Sequence, residues 1–161
     1  MAAMRLRDRL LLLFFLVVIL PLGVYGIYAG YRETAETHPV IVRTLIEPYA
    51  EALKAGDYSG AYHNHTSSKF RKAYSMDAYV RGQKVNFDEF GPLETIAVNE
   101  NEAFQSANNL FSWRKYYHGG LTYRYRKAEV WVGWEIVEED GAFKIDDTFQ
   151  AFHERWDPRV F

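Results

Sequence analysis

The hydrophobic pattern along the chain changes period twice. Residues 10–31 carry no charge and open on a nearly unbroken run of Leu, Phe, Val and Ile. As a helix this stretch would span roughly 33 Å, enough for a hydrocarbon core of about 30 Å, and it therefore predicts one transmembrane helix. Pro21, Gly23 and Gly26 are tolerated there because lipid leaves the backbone no competing partner. Tyr25, Tyr28 and Tyr31 gather at its far end, where amphipathic rings favour the membrane interface. Arg5, Arg7 and Arg9 precede the run, and Arg32, Glu33 and Glu36 follow it. That bias puts residues 1–9 in the cytoplasm and the rest outside, on the periplasmic or extracellular side of a bacterial inner membrane. A cleaved signal peptide shares the basic start and apolar run, but its apolar region is usually about 7 to 15 residues. The longer run here, with Ala29-Gly30 only a partial cleavage match, favours a retained anchor.

After a short linker at 32–38, a helical period takes over. Thr37 is a candidate N-cap and Pro39 fits a first turn. Ile41, Leu45, Ile46, Tyr49 and Leu53 form one apolar stripe, interrupted near Pro48 and stopped by Gly56. Asp57 can cap a second helix with Tyr58, Ala61 and Tyr62 inward, and Ser67 or Ser68 can start a turn that buries Phe70. Ser75 can cap a third helix through Met76, Tyr79 and Val80 towards Gln83, and Phe87 and Phe90 add apolar bulk before the stop at Gly91-Pro92. Beyond Pro92 the period becomes two. Residues 93–98 read as a strand, Asn99-Glu100-Asn101 as a turn, and Phe111, Trp113 and Tyr117 as a second strand closed by His118-Gly119-Gly120. Residues 121–137 read as one long strand whose alternation slips between Tyr125 and Val130, which predicts a β-bulge near Arg126-Lys127-Ala128. Asp140-Gly141 is a type I′ hairpin signal before a last strand with Phe143, Ile145, Phe149 and Ala151.

The fold class is thus α+β: a transmembrane helix, then about three helices packed on a curved antiparallel sheet of about four strands. At 161 residues there is room for one such domain. The aromatic share of 17% predicts large inward rings or an aromatic-lined cavity. Absence of cysteine excludes disulfides, thiolate metal sites and cysteine nucleophiles. The portion after residue 9 carries more acid than base, which argues against sequence-independent nucleic-acid binding.

Three stretches carry a resemblance. Residues 53–62 (Leu-Lys-Ala-Gly-Asp-Tyr-Ser-Gly-Ala-Tyr), Phe90-Gly91-Pro92-Leu93 and the segment 140–146 are similar to the nuclear transport factor 2-like superfamily. The resemblance covers roughly residues 40 to 152 and implies a cone-shaped domain at 39–152, followed by a tail at 153–161. Its motifs are structural, so they leave activity open.

Ketosteroid isomerase-like members of that superfamily use an inward carboxylate with a Tyr or acid donor. Asp147 shares the parity of Ile145 and Phe149 and is the one weak catalytic candidate; a structural role, bonding a neighbouring backbone group, is favoured. His63 and His65 lie on different sides of a helix, which gives no metal site. Asn64-His65-Thr66 matches a glycosylation sequon, a frequent chance match. Trp113, Arg114, Lys115, Arg124, Arg126 and Lys127 crowd one hairpin as either a cationic aromatic surface for a partner or lipid, or a solvated outer face. Trp156 and Phe161 in the tail either cap the cone or dock on a neighbour. No cofactor is called for. The leading expectation is a noncatalytic accessory subunit that binds other subunits of a membrane complex; the alternative is a small-molecule pocket in the cone, either binding or isomerase-like.

Overall fold

The computed structural model describes residues 7, 13–99, 104–108 and 115–154. Residues 13–54 are helical throughout. A π-helical turn, Phe15–Ile19, leads into helix α1 (Leu20–Ile41), a second π turn, Val42–Ile46, and helix α2 (Glu47–Lys54). Each π turn ends just before a proline, Pro21 and Pro48. A proline cannot donate to the carbonyl four residues back and its ring crowds that carbonyl, here those of Val17 and Thr44, so the preceding turn widens. The interruption expected near Pro48 is therefore a π turn. The helix expected to start at Thr37 is already under way, and residues 32–38, expected as a linker, are helical; Arg32 Nε lies 2.7 Å from Glu36 Oε1 one turn on.

Among the described residues, no helix is long and apolar enough to cross a membrane. Helix α1 starts apolar but carries Arg32, Glu33 and Glu36 along its length. The apolar side chains of its first turns are nonetheless exposed, Ile27 to 77% and Tyr31 to 78%. From Ile41 onward the same rod enters the core: Ile41, Leu45, Ile46, Tyr49 and Leu53 are buried, as the stripe predicts.

The short helices begin where their caps lie. The Asp57 side chain accepts from Gly60 N at 2.8 Å to open α3 (Tyr58–His65). Ser67 Oγ accepts from Phe70 N at 3.0 Å for α4 (Ser68–Ala73), and Ser75 Oγ from Ala78 N at 3.3 Å for α5 (Met76–Phe90). Ala61, Tyr62, Phe70 and Phe90 are buried.

The strands are β1 (Leu93–Val98), β2 (Gln105–Asn108), β3 (Lys115–Tyr125), β4 (Glu129–Glu139) and β5 (Ala142–Glu154). They form one antiparallel sheet in the order β1-β3-β4-β5. β2 pairs with the start of β3 and β1 with its end, so the sheet is four strands wide. The helices pack against it, which makes the domain α+β, as expected.

Two strand features differ from the periodicity reading. Gly119-Gly120 lies inside β3, paired with Trp134 and Gly133, instead of forming a hairpin tip. A Cβ on Gly119 would sit 2.5 Å from Cδ1 of the fully buried Phe104, so glycine is there to admit a ring. The chain reverses instead at Arg126-Lys127, where a bulge was expected. Arg126 N donates to Pro92 O at 3.1 Å and Lys127 N to Phe90 O at 3.0 Å, so the end of α5 satisfies the turn's amides. The Asp140-Gly141 turn has positive φ at both residues, 55° and 76°, the geometry of type I′.

Candidate functional site

A cavity of about 530 Å³ lies between α5 and the sheet, within the range of small-ligand sites. Its apolar walls include Phe70, Phe90, Val130, Val132 and Ile145, and the small Ala78 and Gly82 keep the α5 side open. A Cβ at Gly82 would meet nothing within 4 Å.

Five tyrosines line the cavity beside Thr66, Gln83, Asn86 and Thr148, and four of the tyrosines lie close together. Tyr49, on the buried stripe of α2, has its hydroxyl 2.8 Å from that of Tyr79 on α5. Tyr123 and Tyr125 follow on β3, their rings stacked with centroids 6.3 Å apart. Alternation along β3 points Tyr123 and Tyr125 to the same face. Burial raises the phenols: Tyr49 is pushed up to about 12, and Tyr79, Tyr123 and Tyr125 are raised by burial first and by neighbouring phenols second. All four are neutral at physiological pH. Each phenol has one proton to donate. One hydrogen bond joins Tyr49 and Tyr79, so one hydroxyl proton of the pair is uncommitted within it. The site therefore offers a neutral donor in an apolar setting, suited to an uncharged acceptor oxygen.

Among the described lining residues there is no carboxylate, histidine or lysine. Proton abstraction from carbon needs a positioned base, and these residues supply none. Asp147 does not line the cavity; its Oδ1 accepts from Thr148 N at 2.8 Å, and Thr148 lines the cavity in its place. The cause is an irregularity in the β4–β5 register: Ile136 pairs with Ile145 and Glu135 with Asp147, leaving Asp146 as the extra residue. Asp146 is 2% exposed and accepts from Ser67 Oγ at 2.6 Å and Lys69 Nζ at 2.7 Å. Lys69 also approaches Glu135 at 3.3 Å, and hydrogen bonding to Asp146 raises its ammonium pKa. A lysine held protonated by two acids is no base for Ser67, so this cluster fastens α4 to the sheet. Periodicity gave no hint of it, because only the bulge turns Asp146 inward.

The other sequence candidates are dispersed. Tyr25, Tyr28 and Tyr31 are exposed along α1. Lys115 pairs with Glu33 of α1 at 2.9 Å, Arg124 with Glu129 at 2.9 Å, and Arg126 approaches Glu94 at 3.9 Å. Lys127 lies at the β3–β4 turn. Tyr117 and Tyr123, interleaved with these cations, are buried. Trp113, Arg114, Trp156 and Phe161 lie outside the described residues. His65 packs edge-on to Tyr49, with ring centroids 6.1 Å apart, and its pKa is lowered by burial and then by the charge of Lys144. His63 packs on Tyr62, and no group of metal-ligating side chains occurs among the described residues. The sequon's Thr66 is fully buried and donates to Tyr62 O at 2.6 Å. No family model matches the chain, and no curated protein matches it.

Proposed function

We propose that this protein is a membrane-anchored, noncatalytic binding module that holds a small, largely apolar molecule in a cone of the nuclear transport factor 2-like kind. The observation that carries this reading is the cavity: about 530 Å³, apolar walls, five tyrosines and, among the described lining residues, no carboxylate, histidine or lysine. Its helices-then-sheet order supports the superfamily assignment. The anchor reading rests on the uncharged residues 10–31 and on the exposure of the apolar side chains between Leu13 and Tyr31. In water that much exposed apolar surface is unfavourable, and a bilayer or an apolar partner removes the cost.

Association with subunits of a membrane complex is a second reading, favoured by that same exposed rod. The paired cations of the β3–β4 hairpin give it no added support.

The deciding experiment uses Gly82→Phe. Gly82 lines the cavity and a Cβ there meets nothing within 4 Å, so a phenylalanine can be placed at the cavity wall without displacing a neighbour. Full-length protein purified from membranes in mild detergent is extracted with organic solvent, and the extract is analysed by mass spectrometry. An apolar molecule recovered stoichiometrically from the wild type and lost from the variant is expected. Equal recovery from both, or none from either, refutes the proposal.

A further inference from the structure

The helical rod and the sheet span the same interval side by side. Near one end Lys115, at the start of β3, pairs with Glu33 of α1 at 2.9 Å. At the other, the Trp134 ring of β4 meets Tyr49 of α2, with centroids 5.2 Å apart, and Tyr123 of β3, with centroids 6.4 Å apart. From Glu33 to Tyr49 the continuous helix rises roughly 24 Å at about 1.5 Å per residue. From Lys115 to Tyr123 the strand advances roughly 26 Å at about 3.3 Å per residue. Two elements of matching length that meet at both ends run alongside each other, so neither folds the cavity back towards the uncharged stretch.

Tyr49 and Tyr123 both line the cavity. Tyr49 lies about 27 Å along the rod from Tyr31, and with a tilt of about 20° it still stands about 25 Å beyond an interface at Tyr31. The cavity is open to solvent at that distance, since Tyr74 and Val85 in its lining are 45% and 58% exposed. A lipid whose chains stay in the bilayer does not reach it. To enter, a lipid would have to leave the membrane whole and carry its chains through water, which the hydrophobic effect opposes.

The lining suits a different guest. It combines five tyrosines and two phenylalanines with Thr66, Gln83, Asn86 and Thr148, and no charged side chain occurs among its described residues. Such walls offer ring faces and neutral hydrogen-bonding groups, and no counter-charge to an ion.

We infer that the cavity takes a compact, uncharged, ring-bearing molecule from the aqueous phase, and not a lipid from the bilayer. The inference rests on the cavity being a ligand site and on residues 10–31 being an anchor, and it adds the source and the class of the ligand.

The test uses the full chain in nanodiscs. The protein has no cysteine, so Val85→Cys at the cavity opening and Tyr31→Cys at the interface each carry one fluorescent label. With nitroxide-headgroup lipids in the disc, the Tyr31→Cys label should be quenched and the Val85→Cys label should not, while aqueous iodide quenches the latter. Two probes then report binding, with empty discs subtracted: 2-naphthol by saturation-transfer NMR, and a nitrobenzoxadiazole-labelled phosphatidylcholine by fluorescence. Naphthol should bind the wild type and be weakened about tenfold or more by Gly82→Phe, and the labelled lipid should show no difference between the two proteins. Quenching of the Val85→Cys label by nitroxide lipid, or a Gly82→Phe effect on the lipid and none on naphthol, overturns the inference and leaves the cavity reading standing. An unquenched Tyr31→Cys label removes the anchor and the inference with it. If Gly82→Phe alters neither probe, the inference and the cavity reading fall together.

Discussion

Substituting Gly119 by alanine tests the most specific packing statement the structure makes. The new Cβ would lie 2.5 Å from Phe104 Cδ1 and 2.7 Å from Cε1, whereas ordinary contacts begin near 3.4 Å. The ring must therefore retreat by roughly 1 Å within a close-packed core. Phe104 is fully buried, its backbone N–H donates to His38 Nδ1 at 3.3 Å, and its ring lies 5.9 Å from the His38 ring. Retreat is resisted on the side where α1 joins the sheet. Overpacking of this kind costs about 1–3 kcal/mol. Replacing glycine in a strand returns about 0.5–1 kcal/mol through chain entropy. The net expectation is a loss of about 1–2 kcal/mol, read from urea unfolding followed by circular dichroism. In a Phe104→Ala background the obstacle is gone, and Gly119→Ala should be neutral or stabilise by about 0.5 kcal/mol, a coupling of about 2 kcal/mol. Equal effects of Gly119→Ala in both backgrounds would show that the glycine is not there to admit the ring.

Three further outcomes follow from the buried polar groups. Tyr49, Tyr79, Tyr123 and Tyr125 have raised folded-state pKa values, so their contribution to stability is complete below about pH 10, the unfolded value, and is lost as pH rises towards and beyond the value of about 12 for Tyr49. Tyrosinate absorbance should rise together with loss of structure, and Tyr79→Phe should make that alkaline transition less steep. His65 has a lowered pKa, so the folded state resists its protonation and stability should fall as pH drops below about 6.5; His65→Gln should flatten the acid limb of a stability–pH curve, and an unchanged limb would refute the assignment. Ser67→Ala removes both the α4 cap and a hydrogen bond to buried Asp146, and should cost about 3 kcal/mol in denaturant unfolding, against well under 1 kcal/mol if the cluster were solvated.

Several features of this fold were legible residue by residue. The stripe from Ile41 to Leu53 is buried as spaced, and Asp57, Ser67 and Ser75 all cap helices, because periodicity and capping are local effects. The sheet was harder for a definite reason. The slip in parity between Tyr125 and Val130 has two solutions, a bulge or a hairpin with an even loop, and both return the side chains to one face. Arg126-Lys127 carries no turn signal, since its amides are satisfied by carbonyls at the distant end of α5. Gly119-Gly120 looks like a turn, since its need for glycine comes from Phe104, which lies just before β2. The candidate site was missed for a related reason. Composition foretold an aromatic-lined interior, but the meeting of Tyr49, Tyr79, Tyr123 and Tyr125 joins three elements remote in sequence, and the register shift that replaces Asp147 with Thr148 has no local signature.

One unbroken helix serves both ends of this molecule. About 27 Å of it separates Tyr31, at the end of the uncharged stretch, from Tyr49 in the cavity wall. Glu33 and His38 brace it against Lys115 and Phe104 partway along. The inner arm is packed into the core from Ile41 to Leu53, so a load on the exposed outer arm is passed along one continuous element to the cavity wall that carries Tyr49. On the reading proposed above, whatever bears on the outer arm would act on the site at a distance.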